Sequence, residues 1–288
     1  MEICFYYSQG ERPQKAQLDE QTLLKQMKAD SITFLGSGGF GETWAVNRNS
    51  KTTAVKIIYN PLYPRKRLAR EIEGLQRADS PYVVKLLGTG DLTYAGQQHP
   101  FLEFEFVKGG SLASHINKSR WPSKQELNQH IIGLLSGLHE LHDKEVIHRD
   151  IKPENIILRN GSFETPVIVD LGLAKITDTP TFTVYPSLLG TAPYMSPEQV
   201  RGEEAKKASD LWAVGVVSYI LATGKHPFYG DFDHRLSLPE AHDRLMSGEV
   251  QLPQDVDSPL RETILRFLSP EPYQRGRTAR ALEELGGE

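Results

Sequence analysis

Cysteine is nearly absent from this chain: Cys4 is the one thiol in 288 residues. A single thiol forms no internal disulfide, so a disulfide scaffold is excluded and a reducing compartment suits the protein. Long apolar runs are missing too. The most hydrophobic stretch, Leu211 to Ala222, falls short of the roughly 20 residues that cross a bilayer. The opening residues, MEICFYYSQGERPQ, lack the basic start and long apolar core of a secretory signal. Charge excess is small: the formal net charge is −4, with no long acidic or basic tail. No internal repeat or low-complexity segment stands out. These absences predict a soluble cytoplasmic protein with no membrane span and no nucleic-acid partner.

What is present is an ordinary globular composition, 39% hydrophobic and 24% charged. It suffices for one large domain or two lobes with a sizeable core. Residues 1–30 are polar and mixed in charge. Gln17 to Ala29 can form a helix, with Leu18, Leu23, Leu24 and Met27 on a poor apolar face. A regulatory extension and a plain cap on the first lobe are the two readings, and the cap is preferred.

Residues 31–60 read as strands. Ile32, Phe34 and Leu35 lead into Gly36-Ser37-Gly38-Gly39-Phe40-Gly41, and a polar turn at Asn47 to Lys51 separates Trp44-Ala45-Val46 from Thr53 to Ile58. The glycines therefore lie between two strands. A dinucleotide-binding glycine motif needs a helix directly after it, and a Walker loop needs Gly-Lys-Ser/Thr. Neither follows here. A glycine turn between strands can instead lie over phosphates, because its backbone approaches closely. Lys56 stands in an apolar strand, where an inward ammonium needs an anionic partner; an edge lysine in solvent is the plainer reading. Pro64 to Ala78 shows helical spacing at Leu68, Ile72 and Leu75, with Glu71 beside that face.

Val83 to Leu87 and Phe101 to Phe106 read as two more strands. Gly109-Gly110 then marks a boundary between a strand-rich part and a mostly helical one, giving an extension at 1–30 and lobes at 31–107 and 108–288. Ser123-Lys124-Gln125-Glu126 is a capping box that opens a helix with a stripe through Leu127, Ile131, Leu134, Leu135, Leu138 and Leu141. His139 and His142 flank the stripe. No His-Glu-x-x-His pattern accompanies them, so both are read as structural. Pro166 to Val169 is a buried strand that ends at Asp170-Leu171-Gly172. Residues 173–198 form a long Thr/Ser/Pro-rich loop, a type that is usually functional or disordered. Leu211 to Ala222 is apolar almost all round and reads as a buried helix stopped by Gly224. Later helices are expected at Pro239–Ser247, Pro259–Leu268 and Thr278–Leu285.

The densest chemistry is His148-Arg149-Asp150-Ile151-Lys152-Pro153-Glu154-Asn155. Asp accepts a hydroxyl proton, Lys neutralises a travelling phosphate and Asn ligates magnesium. A solvated loop of mixed charge is the alternative for the stretch by itself.

Taken in order, these elements resemble the eukaryotic-type (Hanks-type) protein serine/threonine kinase family over about residues 31–285. The carriers are Gly36, Gly38 and Gly41; Thr53-Ala54-Val55-Lys56 with Glu71; His148-Arg149-Asp150 with Lys152 and Asn155; Asp170-Leu171-Gly172; Ser196-Pro197-Glu198; and Asp210 with Arg275. The resemblance implies an α+β, two-lobed kinase fold. It implies ATP and Mg2+ (or Mn2+), and transfer of the γ-phosphate to Ser or Thr hydroxyls of proteins in signalling. Lys56, aligned by Glu71, is to hold the α/β-phosphates beneath Gly36, Gly38, Gly39, Phe40, Gly41 and Thr43. Asp150 is to receive the hydroxyl proton, Lys152 to face the γ-phosphate, and Asn155 and Asp170 to hold metal. Adenine is to lie between Ala54 and Ile157, against the backbone of Glu105 and Val107, with Phe104 behind it. Thr191 is to bridge Asp150 and Lys152, His148 and Leu171 to join a stacked spine, and Glu198 to pair with Arg275. Arg149 suits a phosphate on the activation loop. Ser187 is the first candidate for it, with Thr183 and Thr181 as rivals, and autophosphorylation through a transient homodimer is the expected route. Thr43, Leu171 and Ser196 depart from the usual Val, Phe and Ala without removing a catalytic group. A nucleotide-binding pseudokinase or scaffold and a small-molecule kinase are the alternatives.

Overall fold

The computed structural model describes residues 16–38, 41–60, 65–170, 175–176, 192–230, 238–248, 250–254 and 256–287. Its contacts divide the chain into two compact units: Met1–Arg77 with Val84–Val107, and Ala78–Val83 with Lys108–Glu288.

The first unit opens with α1 (Glu20–Gln26), whose N-cap Asp19 accepts from the Thr22 amide at 2.7 Å. Three strands follow, β1 (Ser31–Gly38), β2 (Gly41–Arg48) and β3 (Lys51–Ile58), then α2 (Arg65–Arg77). A hairpin of β4 (Leu86–Tyr94) and β5 (Gln97–Glu105) completes a five-stranded sheet in the order β1-β2-β3-β5-β4. All its pairs are antiparallel. Strand alternation sorts its side chains. Trp44, Val46, Val55, Ile57 and Leu92 point to one face and pack on Leu18, Leu23 and Met27 of the N-terminal segment in one buried cluster. The opposite face carries Thr43, Ala45, Ala54, Lys56, Leu102 and Phe104, which the register sets side by side.

One sequence expectation shifts here. The strand expected at Val83 to Leu87 begins only at Leu86 and continues through Gly88, Thr89, Gly90 and Asp91 to Tyr94. Val83 instead forms a parallel bridge to Ile168 in the second unit. Residues of low strand propensity extend β4 because β5 supplies their ladder partners; pairing overrides propensity. The segment before β1 packs on the sheet with Leu23 only 1% exposed, in keeping with the preferred cap.

The second unit is mostly helical. It holds α3 (Leu112–Asn117), α4 (Lys124–Asp143), the short strands β6 (Val146–Ile147), β7 (Ile156–Leu158), β8 (Pro166–Ile168) and β9 (Lys175–Ile176), then α5 (Pro197–Val200), α6 (Lys207–Thr223), α7 (Leu238–Ser247), α8 (Ser258–Phe267) and α9 (Thr278–Leu285). The predicted capping box of α4 is formed on both sides. Along α4, Ile131, Leu134, Leu135, Leu138 and Leu141 are fully buried, as their helical spacing requires. Helix α6 buries nearly its whole circumference and ends on Gly224 at φ +72°, a left-handed cap that glycine adopts without strain. Gly109 is another position that demands glycine. Its φ is +132°, and an added Cβ would sit 1.8 Å from the Leu158 carbonyl oxygen. The content is the α+β mixture expected from the sequence.

Candidate active site

In the first unit the sheet register gathers the residues expected around a nucleotide. Thr43 pairs with Lys56, Lys56 with Leu102, and Ala54 with Phe104, all on the face away from α1. Phe104 is buried, while Lys56 and Ala54 are half-buried. The glycine turn is a hairpin end: Gly36 follows a bulge in β1, and Gly38 pairs with Gly41. A Cβ at Gly41 would lie 1.9 Å from the Ile57 carbonyl oxygen, so that glycine permits the tight approach of β2 to β3. At the end of β5, Glu105 donates its amide to the Lys85 carbonyl at 3.0 Å. The Val107 amide meets no acceptor among the described residues. Gly39, Phe40 and the side chain of Glu71 lie outside what is described.

In the second unit the stretch from His148 to Asn155 is held from below by one carboxylate. Asp210, in the first turn of α6, accepts the Arg149 amide on Oδ1 at 2.7 Å and the His148 amide on Oδ2 at 2.9 Å. Oδ2 also meets His142 Nε2 at 2.8 Å. Burial by itself would raise the Asp210 pKa. The hydrogen bond and charge of His142 and the Arg149 amide outweigh it and hold the pKa below the ordinary value. His148 donates from Nε2 to the Val169 carbonyl at 3.1 Å, so its Nδ1 is the acceptor facing the Asp150 amide at 3.3 Å.

Above that base, Asp150 Oδ2 lies 3.0 Å from Lys152 Nζ and accepts from Asn155 Nδ2 at 3.0 Å. The same Nδ2 reaches the Asp150 carbonyl at 2.8 Å. Asp150 Oδ1 is buried and accepts nothing among the described residues. One oxygen of the carboxylate is thus tied down and the other is open for a new donor. The β7–β8 pairing brings Asp170 into the same neighbourhood: Ile156 pairs with Ile168, and the Val169 amide donates to the Asn155 carbonyl at 2.9 Å. Arg149 at φ +72° and Asp170 at φ +61° both occupy the left-handed region. Such strain in non-glycine residues persists only where the surroundings over-determine it, and it concentrates at functional sites.

A second buried pair lies further along. Arg275 Nη1 and Nη2 meet Glu198 Oε1 and Oε2 at 2.7 and 2.9 Å, a bidentate fork with both side chains almost wholly buried. Ser209 donates to Glu198 Oε1 at 2.7 Å, and the Arg275 guanidinium stands over the Trp212 ring at 4.9 Å. Desolvation pulls the Glu198 pKa up, but the Arg275 hydrogen bonds and charge, with Ser209, bring it below the ordinary value. Sequence reasoning overlooked Gln199. It accepts from the Ser196 amide at 3.1 Å and donates to the Arg149 carbonyl at 3.2 Å, and so ties Ser196-Pro197-Glu198 to the Asp150 loop. The Ser-x-x-Gln spacing of a capping box was the available signal. His142 is structural, as expected, in its bond to Asp210. Leu171, Thr181, Thr183, Ser187 and Thr191 lie outside the described residues.

The protein kinase domain family matches residues 29–284 of this chain. The chain belongs to the protein kinase family. Among its curated relatives is a probable serine/threonine-protein kinase of Dictyostelium discoideum, 30% identical over 250 residues that span 84% of this chain and 52% of the relative. A Myxococcus xanthus serine/threonine-protein kinase is 32% identical over 263 residues, 86% of this chain and 47% of that one. A calcium/calmodulin-dependent protein kinase type 1 of Macrobrachium nipponense is 30% identical over 236 residues, 80% and 64%. The chain spans about half the length of the first two of these relatives. Use of ATP and a divalent metal is general to this kinase family. Among the described residues no helix is long and apolar enough to cross a membrane.

The donor set suits a hard, six-coordinate cation. Asn155 spends its amide nitrogen on Asp150, which leaves its carbonyl oxygen for a ligand. Asp170 adds a carboxylate. Magnesium takes one or two such protein oxygens and fills its shell with water and substrate phosphates.

Proposed function

We propose that this kinase domain transfers the γ-phosphate of ATP to Ser or Thr hydroxyls of proteins. The observation that carries the reading is the divided carboxylate of Asp150, with Oδ2 fixed by Lys152 and Asn155 and Oδ1 open. The substrate hydroxyl donates to Oδ1. Its oxygen forms a bond to the γ-phosphorus as the bond from that phosphorus to the β–γ bridging oxygen breaks. The hydroxyl proton passes to Asp150, and ADP leaves. Lys152 neutralises charge on the travelling group, and the buried loop leaves little water to compete. Asn155 and Asp170 hold magnesium or manganese, which supplies charge neutralisation on the phosphate oxygens.

In the first unit Lys56 takes the α/β-phosphates, oriented by Glu71. Thr43, Ala54 and Phe104 share its face of the sheet, which supports their reading as the adenine wall. The Val107 amide is the free donor for the ring, with the Glu105 backbone beside it. Ser187, Thr183 or Thr181 is the proposed autophosphorylation site, reached through a transient homodimer. A pseudokinase reading is disfavoured because Lys56, Asp150 and Asp170 are all retained. The test is transfer of labelled γ-phosphate to a generic serine peptide. Wild type transfers label, while Asp150→Asn and Lys56→Met do not. Label transfer surviving in both variants would sink the site assignment.

A further inference from the structure

The first unit carries a buried carboxylate that the proposed chemistry does not use. Glu42 follows Gly41 directly, pairs with Ser37 and Ile57 in the strands on either side, and has no solvent exposure. An ionised carboxylate is costly to bury unless donors surround it. Its donors come from two places. Trp44 Nε1, on the same face of β2, donates to Oε2 at 3.2 Å. The backbone amides of Gln17 and Leu18 donate at 2.5 and 3.4 Å. Those two residues precede α1 and fall before the stretch matched by the kinase family, which begins at residue 29.

The rest of the segment is fastened as well. The amide of Asp19 donates to the Tyr94 hydroxyl at 3.1 Å. Gln26 makes a two-way exchange with the backbone of Thr93 in β4. At the far end of β2, Arg48 Nε donates to the Met27 carbonyl at 2.8 Å, and the Asp30 amide to the Asn47 carbonyl at 2.8 Å. Leu18, Leu23 and Met27 fill the gap between these ties with buried apolar surface. Residues 16–30 therefore form a strap with one end on Glu42 and the other on Arg48, the two ends of one strand.

We propose that this strap, through Glu42, fixes the glycine turn for nucleotide binding. Glu42 is then a positioning residue for ATP, although its side chain lies on the sheet face away from Lys56. The coupling is short. Glu42 shares its backbone with Gly41 on one side and Thr43 on the other. Removing its carboxylate strands buried donors and loosens the strand where the turn begins. The inference rests on the reading of Gly36 to Thr43 as the cover over the ATP phosphates.

The test compares ATP titrations of full-length variants in the peptide assay, together with their melting temperatures. Glu42→Ala is expected to raise the KM for ATP about tenfold, the scale of a stranded buried polar group, with kcat and the peptide KM within about twofold. Gln17→Pro removes one donor of the strap and leaves β2 untouched. It is expected to raise the ATP KM in the same direction, and the double variant is expected to be little worse than Glu42→Ala alone. Ile264→Val, in the buried core of α8 in the second unit, serves as the control for plain destabilisation, with a lowered melting temperature and an unchanged ATP KM. If Glu42→Ala behaves like Ile264→Val, Glu42 is merely structural and the proposal is overturned. Additive effects of Gln17→Pro and Glu42→Ala would overturn the strap as the route. If Lys56→Met leaves ATP binding intact, the nucleotide reading of this sheet face fails instead, whatever Glu42 does.

Discussion

The stretch from His148 to Asn155 and strand β2 each meet a buried carboxylate, but the two carboxylates are secured differently. Asp210 sits on α6, a long helix at the heart of the second unit, and its partners include a histidine and two loop amides. Glu198 nearby has a guanidinium locked in a fork. Glu42 sits on a strand and depends on an indole and on amides from a segment outside the family match. The Asp150 loop is thus tied to a core helix, whereas Glu42 is tied to a segment before the family match. The geometry that must be invariant is anchored by charge in the deepest part of the fold. The carboxylate of β2 is anchored by hydrogen bonds of a peripheral element, the kind that opens locally at lower free energy.

The contrast can be broken at several points. Arg275→Met leaves the Glu198 carboxylate buried without its partner, and breaking such a pair costs about 3–5 kcal/mol. Chemical denaturation should show that loss at neutral pH. A loss below about 1 kcal/mol would mean the fork is not part of the anchor. Asp210→Asn keeps the shape but sets an amide against amide donors. A displacement of the loop by about 1 Å can cost on the order of a hundredfold in rate, so kcat should fall steeply while the ATP KM moves little.

Acid should act on the second unit first. Folding holds Asp210 and Glu198 below their ordinary values of 3.8 and 4.5, so their contribution is whole above those values and is lost as pH falls below them. Burial also holds His130 and His226 neutral, lowering their pKa from 6.5 to about 4 and about 3. The unfolded chain takes up those protons first, so the stability tied to both histidines is complete above pH 6.5 and declines below it. Melting temperatures across the pH range should be flat above neutrality and fall from about pH 6.5 downward. A flat profile down to pH 4 would contradict the burial of both rings. The smallest effect belongs to the strap's far end. Arg48 and Glu103 are partly exposed, and Arg48→Ala should lower stability by about 1 kcal/mol at most.

How far these anchors were visible in the sequence differs in the same way. The capping box at Ser123, the leucine stripe of α4 and the all-apolar α6 are local patterns, and the helices formed where the periodicity put them. Thr278–Leu285 was legible to the residue. Motif order singled out the residues proposed to carry the chemistry. What escaped depends on distant partners. Glu42 reads as a polar residue in an alternating strand, and its burial follows only from a segment 24 residues upstream folding across it. The reach of β4 through Gly88 to Asp91 depends on β5. The positive φ of Arg149 has no residue-type signal, whereas aspartate, as at Asp170, is a type enriched in that region. The short helix α3 was missed as well. Its N-cap Ser111 accepts from the Ser114 amide at 3.2 Å, a local clue of the same kind as Ser123.

The central claim is that Asp150 receives the proton of a serine or threonine hydroxyl as phosphate moves to it. Single-turnover transfer from ATP to a serine peptide by wild type and Asp150→Asn tests it most directly, with ATP affinity measured in parallel. The account predicts a rate lower by about a hundredfold to ten-thousandfold, the range for removing a general base, with ATP binding unchanged. An Asp150→Asn protein that transfers phosphate at the wild-type rate would contradict it.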